Sequence, residues 1–314
     1  MSAHELDVAA QLNFLLRGEM SVVMRMPYSS NATYLVSLAL DGKTIQAIYK
    51  PMRGERPLWD FAPGLHRREV AAYLLSEAMG LGCVPPTILR DGPSGEGSVQ
   101  LLIESDPDEH YFTIFEQRQD LHDQFRAMCA FDILANNTDR KSGHVLVDKN
   151  NHVWGIDHGV CFSEDFKLRT VIWEFGGEKI AEDLMAKIEP LTQTVPLEVA
   201  TLLSEQEVVA ITERAKWLFD GAQFPVDPSG RHYPWPLVSL KIKSLFTREI
   251  CARDYERDLR ASMSFGRTLC TSPTMPRSAI PKIGASLSLL IAMMFFEPFM
   301  PTMCWVAPEM PAAI

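Results

Sequence analysis

Between a helical stretch that closes at Leu134-Ala135 and an apolar run that opens at Val145 lie nine residues: Asn136-Asn137-Thr138-Asp139-Arg140-Lys141-Ser142-Gly143-His144. A string with that density of acid, amide, cation and imidazole must leave the helix as a loop. Val145–Val147 and Val153–Ile156, with Lys149–Asn151 between them, then read as a short hairpin ending on Ile156-Asp157-His158-Gly159. A carboxylate at the end of an apolar strand is costly unless it has a ligand. Asp139 and Asp157 flank one hairpin, so the two sit near each other, able to share a substrate hydroxyl and a divalent metal.

Upstream, Ser21–Met26, Tyr34–Leu40 and Lys43–Tyr49 are β-rich runs, the last two joined by the hairpin signal Asp41-Gly42. Leu65 to Met79 reads as a helix with Val70, Tyr73, Leu74 and Ala78 on one stripe and Gly80 ending it. Gly92-Pro93-Ser94-Gly95-Glu96-Gly97 lacks the Gly-Lys-Ser/Thr of a phosphate-binding Walker loop and reads as a turn before a strand at Val99–Glu104. Helices follow from Leu121, from Ala181 and from Ser204. A small β-rich part before a helical part predicts an α+β fold of two lobes, 1–104 and 105–238. His110, His122 and His152 have no partners at ligand spacing and read as surface residues. Trp59, Trp154, Trp173 and Trp235 read as core or interface anchors.

The chain changes character after Val238. The irregular tail 239–314 holds nine Lys+Arg against six Asp+Glu and is +3, while the stretch 1–238 carries 21 against 34 and is −13. So acidic a chain grips polyanions poorly, which excludes nucleic acid as a partner and argues against stable membrane association. The uncharged run Ile283 to Phe296 is fourteen residues, short of the ~20 needed to span a bilayer. Membrane contact, were there any, would run through 283–307. The six cysteines, at 83, 129, 161, 251, 270 and 304, form no Cys-x-x-Cys pair. Met1–Ala10 lacks a basic-then-apolar leader, and both features fit a cytoplasmic protein.

The pattern Asp139-Arg140-Lys141-x-x-His144 followed by Asp157-His158-Gly159 resembles the catalytic loop and metal motif of phosphatidylinositol 3- and 4-kinases, which read Asp-Arg-His-x-x-Asn and Asp-Phe-Gly. Ser29-Ser30-Asn31-Ala32-Thr33-Tyr34, Tyr49-Lys50-Pro51, Gly54–Phe61 and Tyr233-Pro234-Trp235-Pro236 extend the likeness to an actinobacterial branch of that superfamily, over about 9–238. The resemblance implies a kinase-like fold and ATP-dependent phosphoryl transfer to an acceptor hydroxyl. Ser30, Asn31 and Thr33 would then cover the phosphates. Lys50 would pair with them, held by Glu69 nineteen residues on. Asp139 would take the acceptor's proton beside Lys141, and Asp157 would hold Mg²⁺.

His144 stands where the family places a metal-binding Asn, and an imidazole suits Mg²⁺ poorly. Either Asp157 holds a single Mg²⁺, or Mn²⁺ is used, or His144 has another task; Asn136 or Asn137 is a candidate for the missing oxygen. His158 replaces the family's Phe. These departures keep two rivals open: a nucleotide-binding pseudokinase or adenylyl-transferring enzyme, and a non-catalytic partner-binding protein on a kinase scaffold. The acceptor is a protein, a small molecule or a lipid. For a lipid head group only Lys167 and Arg169 stand ready beyond Gly159.

Overall fold

Asp41 and Gly42 both take left-handed φ, 49° and 72°, in the computed structural model of the chain. That pair closes a two-residue hairpin turn between β2 (Tyr34–Leu40) and β3 (Lys43–Pro51). The structure describes residues 6–27 and 29–237. These fall within one compact unit, Met1–Ile250. The expectations for the tail, including the run within 283–307, lie outside the described residues.

A helix α1 (Val8–Arg17), capped by the Asp7 side chain, precedes β1 (Glu19–Arg25). With β4 (Thr87–Gly92) and β5 (Gly95–Leu101), an antiparallel sheet forms in the order β1-β2-β3-β5-β4. The β4–β5 turn is Pro93-Ser94 alone, so residues 95–98, expected as part of a loop, are strand. Residues 102–104, expected as strand, lie beyond β5. Between β3 and β4 runs α2 (Leu65–Ala78). It ends as Gly80 turns to φ 61° and two bonds close the terminus, Gly80 N–H to Glu77 O and Leu81 N–H to Ser76 O.

The helical part comprises α3 (Tyr111–Gln117), α4 (His122–Leu134), α5 (Glu182–Ile188), α6 (Leu197–Ala200) and α7 (Glu205–Gly221). Ser204 opens α7 through a reciprocal capping box with Glu207. The hairpin β6 (Val145–Val147) and β7 (Val153–Gly155) follows α4. One apolar cluster lies under the five-stranded sheet, built on Val36, Leu38, Ala47, Tyr49 and Val99. A larger one fills the helical part around Phe125, Phe131, Phe162 and Ile211. The fold is α+β.

The α2 stripe needs correction. Leu74 is half-buried and Ala78 exposed, whereas Ala71, Leu75 and the polar His66, Arg68, Glu69 and Ser76 are buried. The helix packs against β4, β5 and α6 and sends its apolar side chains into the helical core, so it has no single wet face. Trp59 and Trp235 are 95% and 88% exposed and anchor nothing among the described residues, unlike the half-buried Trp154 and Trp173. The three histidines read as surface residues are half-buried with structural tasks. His110 caps α3, His122 stacks on Phe115, and His152 bonds Gly82 O.

Candidate active site

The loop between α4 and β6 is held from below by Arg140. Its guanidinium is 0% exposed and forms a two-pronged pair with Asp132 of α4, Nη2–Oδ1 2.8 Å and Nε–Oδ2 3.0 Å. The same group donates to Ile156 O at 3.0 Å and to His158 Nε2 at 2.7 Å. One buried cation thus ties the loop bearing Asp139 to the segment bearing Asp157. Thr138 adds a second tie through N–H and hydroxyl bonds to Val160 O.

Asn136 and Asn137 are fully buried in this frame. Asn136 donates to Ser163 O and Asp165 O; Asn137 bridges Asp132 and the Asp139 N–H. Neither lines the cavity described next, so neither supplies a metal oxygen there. His158, where an aromatic ring was in question, packs edge-on to Phe131 at 5.5 Å with Nε2 on Arg140 and Nδ1 buried without a partner. The segment is therefore latched inward by a polar contact.

Above this frame lies a cavity of about 270 Å³. Ser30, Asn31 and Thr33 reach it from the loop before β2, Lys50 from β3, and Glu69 from α2. Asp139, Lys141 and His144 enter from the polar loop, and Asp157 from the segment after β7. The nine residues assigned from the sequence are thereby brought to one place. The Lys50 ammonium pairs with Glu69 and, at 2.8 Å, with Asp157 Oδ1. Burial alone would lower the Lys50 pKa, but the two carboxylates hold it above the ordinary lysine value. Lys50 in turn holds the Asp157 carboxyl far below the usual range. The other Glu69 oxygen accepts the His158 N–H at 3.0 Å. Asp157 itself takes φ 64°, a strained conformation for a non-glycine residue.

Asp139 pairs with Lys141. Its pKa is raised, chiefly by burial, with Lys141 acting the other way. The Thr33 hydroxyl is bonded to Ser29 and the Asn31 amide oxygen to the Arg56 N–H, so these two side chains shape the rim of the cavity.

His144 Nδ1 faces Asp139 O at 2.9 Å and must donate to it, while Nε2 stands 3.5 Å from Asp157 Oδ2. Burial pushes its pKa down to about 4, so the ring is neutral at pH 7. A carboxylate oxygen and an imidazole nitrogen side by side fit a divalent ion that also draws on phosphate oxygens and water. They do not make a self-sufficient metal centre: among the described residues no three His, Cys, Asp or Glu converge on one point. If His144 donates to the ion, His144→Asn shifts preference from Mn²⁺ toward Mg²⁺ in nucleotide titrations. An unchanged preference removes His144 from the metal's surroundings.

Sequence reasoning missed the clamp beside the cavity. His66 is buried with Nδ1 2.6 Å from Glu55 Oε1 and Nε2 3.0 Å from Glu96 Oε1. Both nitrogens face carboxylates, so both carry protons. Glu55 also accepts the N–H groups of Gly64 and His66, fixing the start of α2 one turn before Glu69. Burial lowers the His66 pKa, yet Glu55 and Glu96 outweigh it and the net shift is upward. Burial likewise raises Glu55, but His66 and the backbone N–H groups bring it down to about 2. The His66 contribution is complete below an unfolded pKa of about 6.5 and is lost as pH rises through the higher folded value. Stability is thus expected to fall as pH rises beyond about 6.5, read as a melting temperature against pH. A flat profile there that matches His66→Gln contradicts the clamp. Glu55 and Glu96 lie too far along the chain from His66 to leave a local signal.

Lys167, weighed as a head-group receptor, donates to Asp60 O at 3.1 Å and covers the Phe61 ring at 5.1 Å; it braces the 55–64 loop.

A family model for phosphatidylinositol 3- and 4-kinase matches residues 65–198, a span that holds Glu69, Asp139, Lys141, His144 and Asp157. Protein Rv2133c of Mycobacterium tuberculosis is 35% identical over 259 residues, 71% of this chain and 93% of that protein. Phosphatidylinositol 4-kinase gamma 2 of Arabidopsis thaliana is 27% identical over 205 residues, 48% of this chain; the match spans about a third of that relative, 36%. Among solved structures, hydra Fam20 with sugar superposes with TM-score 0.43 at 12% identity, covering 69% of this chain and 89% of that one. The Helicobacter pylori proinflammatory kinase CtkA gives 0.40 at 11%, covering 66% and 94%.

Proposed function

The chain belongs to the phosphatidylinositol 3- and 4-kinase-like, protein-kinase-like superfamily, and on that premise we propose that it transfers a phosphoryl group from ATP to an acceptor hydroxyl. The observation that supports this most is the convergence of Lys50, Glu69, Asp139, Lys141 and Asp157 on one cavity. Bound ATP would supply the γ-phosphoryl group, and its Mg²⁺ or Mn²⁺ would neutralise phosphate charge. Lys50, oriented by Glu69, binds phosphate oxygens, exchanging its contact with Asp157 for them. Asp157, freed of that contact, would hold the metal together with His144. Asp139 orients the acceptor hydroxyl and takes its proton, and Lys141 offsets charge beside it. On this reading 1–104 grips the nucleotide and 105–238 carries the chemistry.

We place the protein in the cytoplasm, where ATP is at hand; the free, buried Cys83, Cys129 and Cys161 accord with a reducing compartment. Among the described residues no helix is long and apolar enough to cross a membrane. His144, a nitrogen where an oxygen is expected, favours a second reading in which ATP is held without transfer or gives up its adenylyl group. Incubation with ATP, either metal, and pools of peptide, metabolite and lipid acceptors decides between them by the mass of the group transferred. A phosphoryl mass on a hydroxyl supports the proposal. An adenylyl mass, or ATP bound with nothing transferred, overturns it.

A further inference from the structure

The connection between β3 and α2 is fastened at both ends to the candidate site. Near its start, Ala32 N–H donates to Gly54 O at 2.9 Å and Arg56 N–H to Asn31 Oδ1 at 2.9 Å. Ala32 and Asn31 belong to the loop that would cover the phosphates. The approach is close, since a Cβ on Gly54 would stand 2.5 Å from that of Ala32. Glu55 lies between those two anchor points, and its carboxylate accepts the N–H groups of Gly64 and His66 at 2.9 and 2.8 Å. One residue thus joins the phosphate loop to the start of α2, which carries Glu69.

His66 ties Glu55 to a third element. The residue is 2% exposed, and its ring nitrogens face Glu55 Oε1 at 2.6 Å and Glu96 Oε1 at 3.0 Å. Glu96 follows Gly95, whose carbonyl takes the Tyr49 hydroxyl of β3. Only the doubly protonated ring donates to both carboxylates; a neutral ring has one N–H and leaves one of them without its donor. The neighbouring cations are poor substitutes. Arg67 reaches Glu96 at 3.4 Å, and Arg53 lies beside Gly95. Across the cavity Lys50 is engaged by Glu69 and Asp157, Lys141 by Asp139, and His144 is neutral at pH 7.

We propose that the proton on His66 sets how firmly the 29–33 loop and α2 hold the nucleotide phosphates, so that ATP binds tightly to the charged form and weakly to the neutral one. His66 is a positioning residue: it acts through Glu55 and Glu96. This rests on the ATP-binding reading above and adds its regulation. The two carboxylates outweigh burial and carry the ring's pKa above its ordinary value. The grip is therefore complete below about pH 6.5 and is lost as pH rises through the higher folded value.

The test is calorimetric titration of ATP with Mg²⁺ into the full chain, wild type and His66→Gln, from about pH 6 to about pH 10. The ratio of the two affinities at each pH cancels the titration of ATP itself. Wild type should bind at least about tenfold tighter at the acid end, with the ratio falling toward one at the alkaline end. Glu96→Gln, at a side chain 41% exposed, still accepts the Nε2 hydrogen bond but removes a charge that holds the proton. Its loss of ATP affinity should begin at lower pH than in wild type, a comparison that stands even where His66→Gln fails to fold. A ratio that is the same at every pH, or a Glu96→Gln profile that coincides with wild type, overturns the proposal and leaves ATP binding standing. No ATP binding by wild type at any pH overturns both.

Discussion

Asp139→Asn is expected to cut phosphoryl transfer by about 10²–10⁴ while ATP affinity stays near wild type. The carboxylate faces the cavity from a loop whose backbone is fixed independently, by Asn137 on the Asp139 N–H and by Arg140 beneath. An amide of the same shape keeps that geometry and loses the proton acceptor. It also loses the ion pair with Lys141, which remains in place as a cation. Lys50 and Glu69 lie on other elements and are untouched, so nucleotide binding and turnover separate cleanly. The check is single-turnover transfer beside a nucleotide titration. Full turnover in the variant removes Asp139 from the mechanism.

Arg140→Met should lower stability by about 3–5 kcal/mol, a large share of the ~5–15 kcal/mol that holds a typical domain together. Arg140 and Asp132 are both at zero exposure, so removing one leaves a buried carboxylate with its charge uncompensated. Ile156 O and His158 Nε2 lose a donor as well. Asp132→Leu with Arg140→Met removes both charges and should recover part of the loss, because an apolar pair tolerates burial. Recovery stays incomplete, since Asn137 and Thr170 also bond to Asp132. Urea unfolding midpoints of the two variants measure this. A single variant within about 1 kcal/mol of wild type would show that the guanidinium is no keystone.

Much of the site was legible because its parts are local. Asp139, Lys141 and His144 share one loop, Asp157 ends the next hairpin, and short connections leave little freedom in how these approach. The Lys50–Glu69 pair is further apart, but a strand end and the first turns of the next helix bring it together. The Asp41-Gly42 turn and the Gly80 terminus were legible for a different reason: their backbone conformation selects residues directly. Partner choice in the interior was not. Nothing in Asn136-Asn137 says that both amides turn to the core, and nothing near His66 points to Glu96. Strand β4 carries Arg90 and Asp91 near its end, which hid it, and α1 escaped notice although Asp7 caps it. The α2 stripe misled because periodicity reports one buried face, and this helix is covered on several.

The central claim is that Lys50 and Asp157 form a site for metal-bound ATP. Calorimetric titration of ATP with Mg²⁺, with Mn²⁺ and with neither, into wild type and Asp157→Ala, tests it most directly. In wild type Lys50 is already paired with Asp157, so nucleotide with metal should bind at least about tenfold tighter than nucleotide alone, a difference of roughly 1.4 kcal/mol. Asp157→Ala should abolish that tightening while keeping metal-free binding, through Lys50 and Glu69. An Asp157→Ala protein that binds metal-bound ATP as wild type does, with the same gain from metal, would contradict the account.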